Sequence, residues 1–347
     1  MTEPTTTRTR FLTALRGGTG TVSVLLVLIF VVIATQNPSF FEGPPLMAFA
    51  KKAAPLVVLA IGQYLVIVSG EFDLSVGSLV GAQVVIAARL IDGEEAMTYP
   101  VIGLMLLFGL SVGLVNGLVT TLLKVPSIIT TLGTMLILFG AVRYWTGGAP
   151  TGALSEAFRV FGRHGLDGVP VIGQLPWALV IAALLTVGAV LLMRSPFGRS
   201  LMATGDNDTA AAFSGVRVWR VRTLAFVGSS LMATVAAVLI GGFAGVTAQV
   251  GEGLEFTAIT AVVLGGVVLG GGRGTVVAAV LGALTIEALF TLFNQLYLPS
   301  TIQPTAQGLI IIAAVAYASR RGDPRPPTRP RRRPDPPNER QLDSSRR

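Results

Sequence analysis

The stretch RSPFGRSLMATGDNDTAAAFSGV, Arg194 to Val216, lies between two long apolar runs and is neither a span nor a featureless polar loop. It opens on Ser-Pro, continues through the small, basic SPFGRSL, and reaches an Asp-Asn-Asp cluster ahead of an alanine triplet. Asp206, Asn207 or Asp208 can cap a short helix, because a side-chain oxygen at that position accepts from the free amides of the first turn. Ala210 to Phe213 form its wall and Gly215 its stop, since glycine tolerates the left-handed conformation that ends a helix. A short capped helix held between two spans is a docking element, and the remaining chain is read around it.

Composition sets the class. Of 347 residues, 52% are hydrophobic and 13% are charged, with a mean hydropathy of +0.70. A soluble domain carries about a quarter of its residues as charges, so this is an all-α polytopic membrane protein. The 41 glycines suit helices that approach closely in lipid. With no cysteine there are no disulfides and no thiolate metal site. The formal charge of +8 does not point to nucleic acid: ten of the 26 basic residues lie from Arg320 onward, and a basic tail on a membrane protein is a topology signal.

Residues 1–20 are polar and carry Arg8, Arg10 and Arg16 ahead of the apolar run Val22 to Ala34, which lacks a small-residue cleavage site and reads as a retained first helix. Uncharged windows follow at Ala53–Gly70, Leu74–Ala88, Ala96–Leu123, Val125–Val142, Gly168–Met193, Thr223–Gly251, Phe256–Gly272 and Gly274–Ser319. At about 20 residues per span the last window holds two, parted near Leu298-Pro299-Ser300. Ten spans place both termini on one side. The positive-inside rule makes that side cytoplasmic, with the five arginines of the 194–222 loop, Lys124, Arg273 and the arginine-rich tail. Asp92, Glu94, Glu95, Glu252 and Glu255 then fall outside, as does the long glycine-rich loop 147–175. Lys51 and Lys52 are expected to snorkel to the headgroups at the mouth of the second span. The permease domain is 21–319, and 320–347 read as a disordered Arg/Pro-rich tail. GEFDLSVGSLVGA from Gly70 loosely matches GEGLEFTAITAVVLGG from Gly251. They lie five spans apart on opposite sides, as two halves of inverted topology require.

The search for chemistry excludes more than it finds. There is no GxxxxGK[ST] and there are three lysines in all, so the chain has no phosphate loop with which to hydrolyse ATP. His164 is the single histidine, in a polar external loop, which leaves neither a metal site nor a Ser-His hydrolase in the spans. Charges within spans are costly and mark function. Asp73, beside Glu71, is either the N-cap of the third span or part of a gate. Glu287 interrupts the ninth span without a visible partner; coupled to protons, it would make the chain a secondary transporter. Gln63, Gln83, Asn116, Asn294 and Gln295 are polar groups that either hydrogen-bond between helices or line a passage for a hydroxylated solute, with Phe290 and Phe293 one turn from the last pair.

Four stretches carry a resemblance. Gly70 to Ser78, GEFDLSVGS, resembles GGIDLSVGS; Val125 to Pro150 resembles VPxFIxTLGT with a later TGG; Ala203 to Val216, ATGDNDTAAAFSGV, resembles AxGGNxxAAxxSGI; and Ala258 to Gly274 resembles AIAAVVLGGTSLxGGRG. All four belong, in this order, to the permease subunit of bacterial ATP-binding-cassette importers for monosaccharides, the ribose/xylose/galactose group, and the likeness runs from about residue 45 to 319. The resemblance implies a pair of permease subunits, identical or paralogous, in the bacterial cytoplasmic membrane. A separate ATPase pair binds ATP and Mg, and an extracytoplasmic solute-binding protein delivers the sugar. The permease itself then has no cofactor. It also implies that Gly205, Asn207, Ala210, Ala211, Ser214 and Gly215 belong to the coupling helix that enters a groove on the ATPase, while Arg217, Arg220 and Arg222 return to the headgroups. Asp73, Asn116, Phe290, Phe293, Asn294 and Gln295 are the candidate pathway or gate. Glu71-Phe72, Asp206 and Val267-Val268 depart from the motifs, which leaves inositol, a nucleoside or an autoinducer sugar open as the solute.

Overall fold

The structure is a computed structural model and describes residues 18–149, 151–247 and 249–321. The expectations for the tail and for most of the N-terminal segment lie outside those residues.

Thirteen α-helices, two short 3-10 helices (Pro38–Phe41 and Glu95–Met97) and one small hairpin make up the described chain. Helix α1 is Gly18–Gln36, α2 Gly43–Val68, α3 Val76–Ile91, α4 Thr98–Leu122, α5 Ser127–Thr146 and α6 Glu156–Arg163. Strands β1 (Gly165–Val169) and β2 (Gly173–Pro176) pair antiparallel, followed by α7 (Trp177–Arg194), α8 (Pro196–Asp206), α9 (Asp208–Phe213) and α10 (Val218–Ala244). The chain closes with α11 (Leu254–Leu264), α12 (Val276–Gln295) and α13 (Ile302–Arg321). Seven of these are long and apolar enough to cross a membrane, and α3, α11 and the apolar part of α13 are shorter. Together they match the ten apolar windows, including the break before Ile302.

Helices α2 and α10 form the centre. From Ala53 to Ser69 every residue of α2 and its cap is buried, and α2 packs on α10, α12, α7 and α11, while α10 also receives α4, α6 and α3. The approach of α4 to α10 is set by glycines four residues apart. A Cβ on Gly113 would lie 2.7 Å from Val227 Cα, and one on Gly117 would lie 2.7 Å from Thr223 Cα. Gly109, one turn earlier, has Thr234 Oγ1 in the place of a side chain. Such a stripe lets two membrane helices meet along their backbones, where dispersion replaces the missing hydrophobic drive. Outward-facing Leu107, Leu123, Ile137 and Leu184 are more than half exposed in the protein alone, as lipid-facing side chains should be.

Helices α3 and α11 begin inside the protein. At 16 and 11 residues they rise about 24 and about 16 Å, short of the roughly 30 Å hydrocarbon layer. Their starts abut, with Gly251 against the backbone of Gly77 and Gly81. The two stretches read as a possible inverted repeat therefore face each other across the middle of the fold. Glu255 is accordingly misplaced by the sequence reading. It is 7% exposed, in the first turn of α11, with its carboxyl group against Gly77 where no side chain intervenes.

Loops assigned to one side of the membrane do meet one another. At one end, Gly205, Gly271 and Gly272 crowd against Val68 and Gly70, and the Gly272 amide donates to Val68 O at 2.9 Å. At the other, the Gly93 amide donates to Ala153 O at 2.9 Å, and Glu95 accepts from the amides of Glu156 and Ala157 at 2.8 and 3.0 Å. The second of these ends shows that the 147–175 loop carries a helix and a hairpin of its own. Ser155 Oγ accepts from Phe158 N at 3.2 Å to start α6, and Phe158 is fully buried. Residues 168–176 belong to the hairpin, so the sixth span begins at Trp177 and not at Gly168.

Candidate functional site

The 194–217 segment folds as two helices. Pro196 fixes the first turn of α8, whose rise ends at Asp206. Of the three possible caps, the structure selects Asn207, whose Oδ1 accepts from Ala210 N at 2.9 Å. At the far end the Gly215 amide donates to Ala212 O and the Val216 amide to Ala211 O, with Gly215 at φ +86° supplying the left-handed residue such a stop needs. Ser214 Oγ donates to Ala210 O at 3.0 Å. The alanines divide: Ala211 is buried against the helical body, while Ala210, Ala212, Ser214 and Gly215 are exposed and Phe213 is 89% exposed. Gly205 faces inward, its Cα against the Val68 carbonyl and the Gly272 amide. The six residues assigned to coupling therefore form one unit with two faces, Gly205 and Ala211 holding it to the spans and Ala210, Ser214 and Gly215 turned away from them.

Arg222, expected to reach the headgroups, is instead engaged. Its Nε lies 3.1 Å from Glu71 Oε1 and donates to Ser69 O at 3.4 Å, and its Nη2 lies 3.4 Å from Asp208 Oδ2. Glu71, a departure from the resembling motif, thus has a partner that no local pattern reveals. A cavity of about 470 Å³ opens beside them, lined by Glu71, Thr120, Lys124, Asp208, Trp219 and Arg222 among others.

Asp73 and Asn116 come together directly inward of this group, and both are fully buried. Asp73 is two residues ahead of the helix cap, so its role as N-cap of the third span is corrected: the cap is Ser75. Asp73 Oδ1 accepts from Ser75 N at 3.0 Å and from Ser75 Oγ at 2.6 Å, and Oδ2 accepts from Ser229 Oγ on α10 at 2.9 Å. Asn116 Nδ2 on α4 donates to Ser75 Oγ at 2.9 Å, and its Oδ1 accepts from Thr134 Oγ1 on α5 at 2.6 Å. Gln63 Nε2 donates to Asp73 O. One polar cluster therefore ties α2, the 69–75 turn, α4, α5 and α10. Nearby, Gln63 Oε1, Thr120 Oγ1 and Thr130 Oγ1 are buried without a partner. Gln83 is placed as an ordinary packing group, donating to Met105 O and Thr234 Oγ1.

The other pathway candidates lie at the opposite end of the helices. Asn294 and Gln295 line a second cavity of about 460 Å³ with Phe40, Phe49, Lys51, Lys52 and Phe243. The rings of Phe290 and Phe293 lie 6.5 Å apart between centroids, tilted by 42°, but they are absent from its lining. Glu287 is paired, contrary to the reading that left it isolated: Lys52 Nζ is 2.7 Å from Glu287 Oε1. Lys51 Nζ donates to Arg163 O at 2.6 Å, so neither lysine is committed to headgroups. No group of three His, Cys, Asp or Glu side chains able to hold a metal exists among the described residues.

Comparison with known proteins bears on all of this. Residues 46–315 match a family described as the branched-chain amino acid transport system / permease component. The chain belongs to that family. The match covers α2 to most of α13, includes both halves of the polar cluster, and leaves α1 outside. As a member it is a multi-pass permease of the cytoplasmic membrane and a transport subunit, not itself an enzyme. Curated relatives include the autoinducer 2 import system permease protein LsrC of Escherichia coli, 33% identical over 301 residues, 86% of each chain. The protein of the same name from Klebsiella pneumoniae is 35% identical over 296 residues, 85% of this chain and 84% of that one. The one from Salmonella typhi is 32% identical over 301 residues, 86% and 85% of the respective chains. No solved structure matches the chain.

Proposed function

We propose that this permease moves a monosaccharide or a similar small polyol inward by alternating access, driven by a separate ATPase pair that docks on the α8–α9 unit. The observation that carries the reading is the division of that unit. One face is locked to the spans by Gly205 and Ala211, and the other offers Ala210, Phe213, Ser214 and Gly215 to a partner, in a chain with no phosphate loop of its own. ATP and Mg belong to that partner. An extracytoplasmic solute-binding protein supplies the sugar on the far side, and a second permease copy or paralogue completes the pathway. For ATP to do work, it must favour one conformation over the other, and the docked unit is placed to pass that preference to the Asp73–Asn116 cluster. The four motifs and the autoinducer 2 relatives support a sugar-like solute. An autoinducer sugar is the alternative within the class, and proton coupling through Glu287 loses support because Lys52 neutralises that carboxylate.

The test is competition in vesicles containing permease, ATPase and binding protein. Labelled ribose and labelled autoinducer sugar are offered against a branched-chain amino acid. Uptake of either sugar that the amino acid does not inhibit is expected, and preferential uptake of the amino acid overturns the sugar assignment.

A further inference from the structure

We infer that Arg222 is the positioning residue through which the docking unit acts on the interior gate, by holding Asp208 and Glu71 in one ion bridge. The inference rests on the docking reading above and adds to it the route from that surface inward.

Three observations lead there. First, the bridge joins two segments that each present a carboxylate. Asp208 is in the first turn of α9 and Glu71 in the turn after α2, so two carboxylates face one guanidinium. A planar fork of donors takes two acceptors from separate directions, as a lysine's point charge does not. Second, the bridge is partly withdrawn from water. The Arg222 and Glu71 side chains are 20% and 14% exposed, which limits screening, while Asp208 at 51% is the solvent-facing arm that a partner can move. Third, the inner arm leads straight to the gate. Glu71 is two residues from Asp73, and Arg222 is seven residues, two helical turns, before Ser229, whose hydroxyl donates to the same Asp73 carboxyl. The 69–75 turn is therefore fastened to α10 at both levels, and α9 is fastened to both by Arg222. A displacement of α9 by a docked partner pulls on the turn that carries Asp73 through this cation.

A link in series has a signature that an ordinary stabilising contact lacks. Breaking either arm stops transmission, and breaking both does no further harm. Arg222→Ala would strand Glu71 in a half-buried site, so the neutral isosteres Glu71→Gln and Asp208→Asn are the variants to use. The chain has no cysteine, so a single Thr130→Cys, at a buried hydroxyl without a partner beside the cluster, reports gate opening by its labelling with a maleimide. In the assembled importer, ATP is expected to change that labelling rate about tenfold, within the usual range of site-to-site coupling. Each isostere alone removes most of the change, and the double variant equals the singles. Single variants that keep the full ATP response, or losses that multiply in the double variant, overturn the link. A cross-link from Phe213→Cys to the ATPase separates the premises. If it forms while Glu71→Gln responds fully to ATP, the link alone is refuted; if it fails in the chain with an intact bridge, the docking reading falls and the link with it.

Discussion

Replacing Asp73 distinguishes a scaffold of hydrogen bonds from a requirement for charge. Its carboxyl group accepts from Ser75 N, Ser75 Oγ and Ser229 Oγ, all buried. Asp73→Ala removes both acceptor oxygens and leaves three donors to find other partners. The Ser229 hydroxyl can turn to the carbonyl one helical turn back, but the Ser75 amide and hydroxyl are left without an acceptor. Two buried groups so stranded, at roughly 1–3 kcal/mol each, cost about 2 to 6 kcal/mol. Asp73→Asn keeps Oδ1 for Ser75, and its amide donates to Ser229 Oγ, whose proton turns away. The change costs about 1 kcal/mol, the size of one rearranged hydrogen bond. Thermal unfolding of the purified permease, followed by the fluorescence of its three tryptophans, should place Asn close to the parent and Ala far below it, and uptake should follow the same order. If Asn is as damaging as Ala in uptake while unfolding like the parent, the group acts through its charge and the scaffold account is wrong. If Ala unfolds like the parent, the cluster holds nothing together.

Gly113→Leu drives a side chain into Val227, so the α4–α10 contact must open; yield of folded permease should fall severalfold, whereas the same change at Gly103, with nothing near its Cβ, should be tolerated. Glu287→Gln removes the buried charge of the pair and leaves Lys52, which is about half exposed and stays solvated; uptake should stay within about threefold of the parent. Lys52→Met leaves the buried carboxylate unpaired and should lower stability more than Glu287→Gln does, as compared by thermal unfolding. Ala211→Leu, on the inner face, should tilt α9 and weaken ATPase co-purification as strongly as a bulky replacement of Ala210 on the outer face.

The ten apolar segments, the break at Leu298-Pro299-Ser300 and the capped helix after Asp206 are all legible in the chain, because each depends on local composition or on a local cap. What escaped is what distant residues decide. Glu255 was read as a water-facing turn because charge ordinarily marks the surface, and the buried site it occupies exists only because Gly77 presents no side chain. Glu287 seemed isolated because Lys52 is far away in sequence, and Arg222 seemed free because Glu71 and Asp208 belong to other segments. Helix α6 is the exception: its cap, Ser155, is local and its apolar residues share one face, but at eight residues among glycines it is far too short to register as a span. A second local signal also went unused. Gly109, Gly113 and Gly117 repeat every fourth residue, and such spacing in an apolar helix predicts a close helix–helix contact. Of the candidate site, the sequence names residues but cannot show how the fold groups them. Asp73 and Asn116 share one cluster, whereas Asn294 and Gln295 line a cavity at the opposite end.

The central claim is that a separate ATPase, docked on α8 and α9, drives this permease. The measurement that tests it most directly is solute uptake into vesicles containing the permease and binding protein, with the ATPase and internal-facing ATP present or omitted and a protonophore added to each. The account predicts uptake that requires both ATPase and ATP and is indifferent to the protonophore. Uptake that proceeds without the ATPase and collapses with the proton gradient would contradict it.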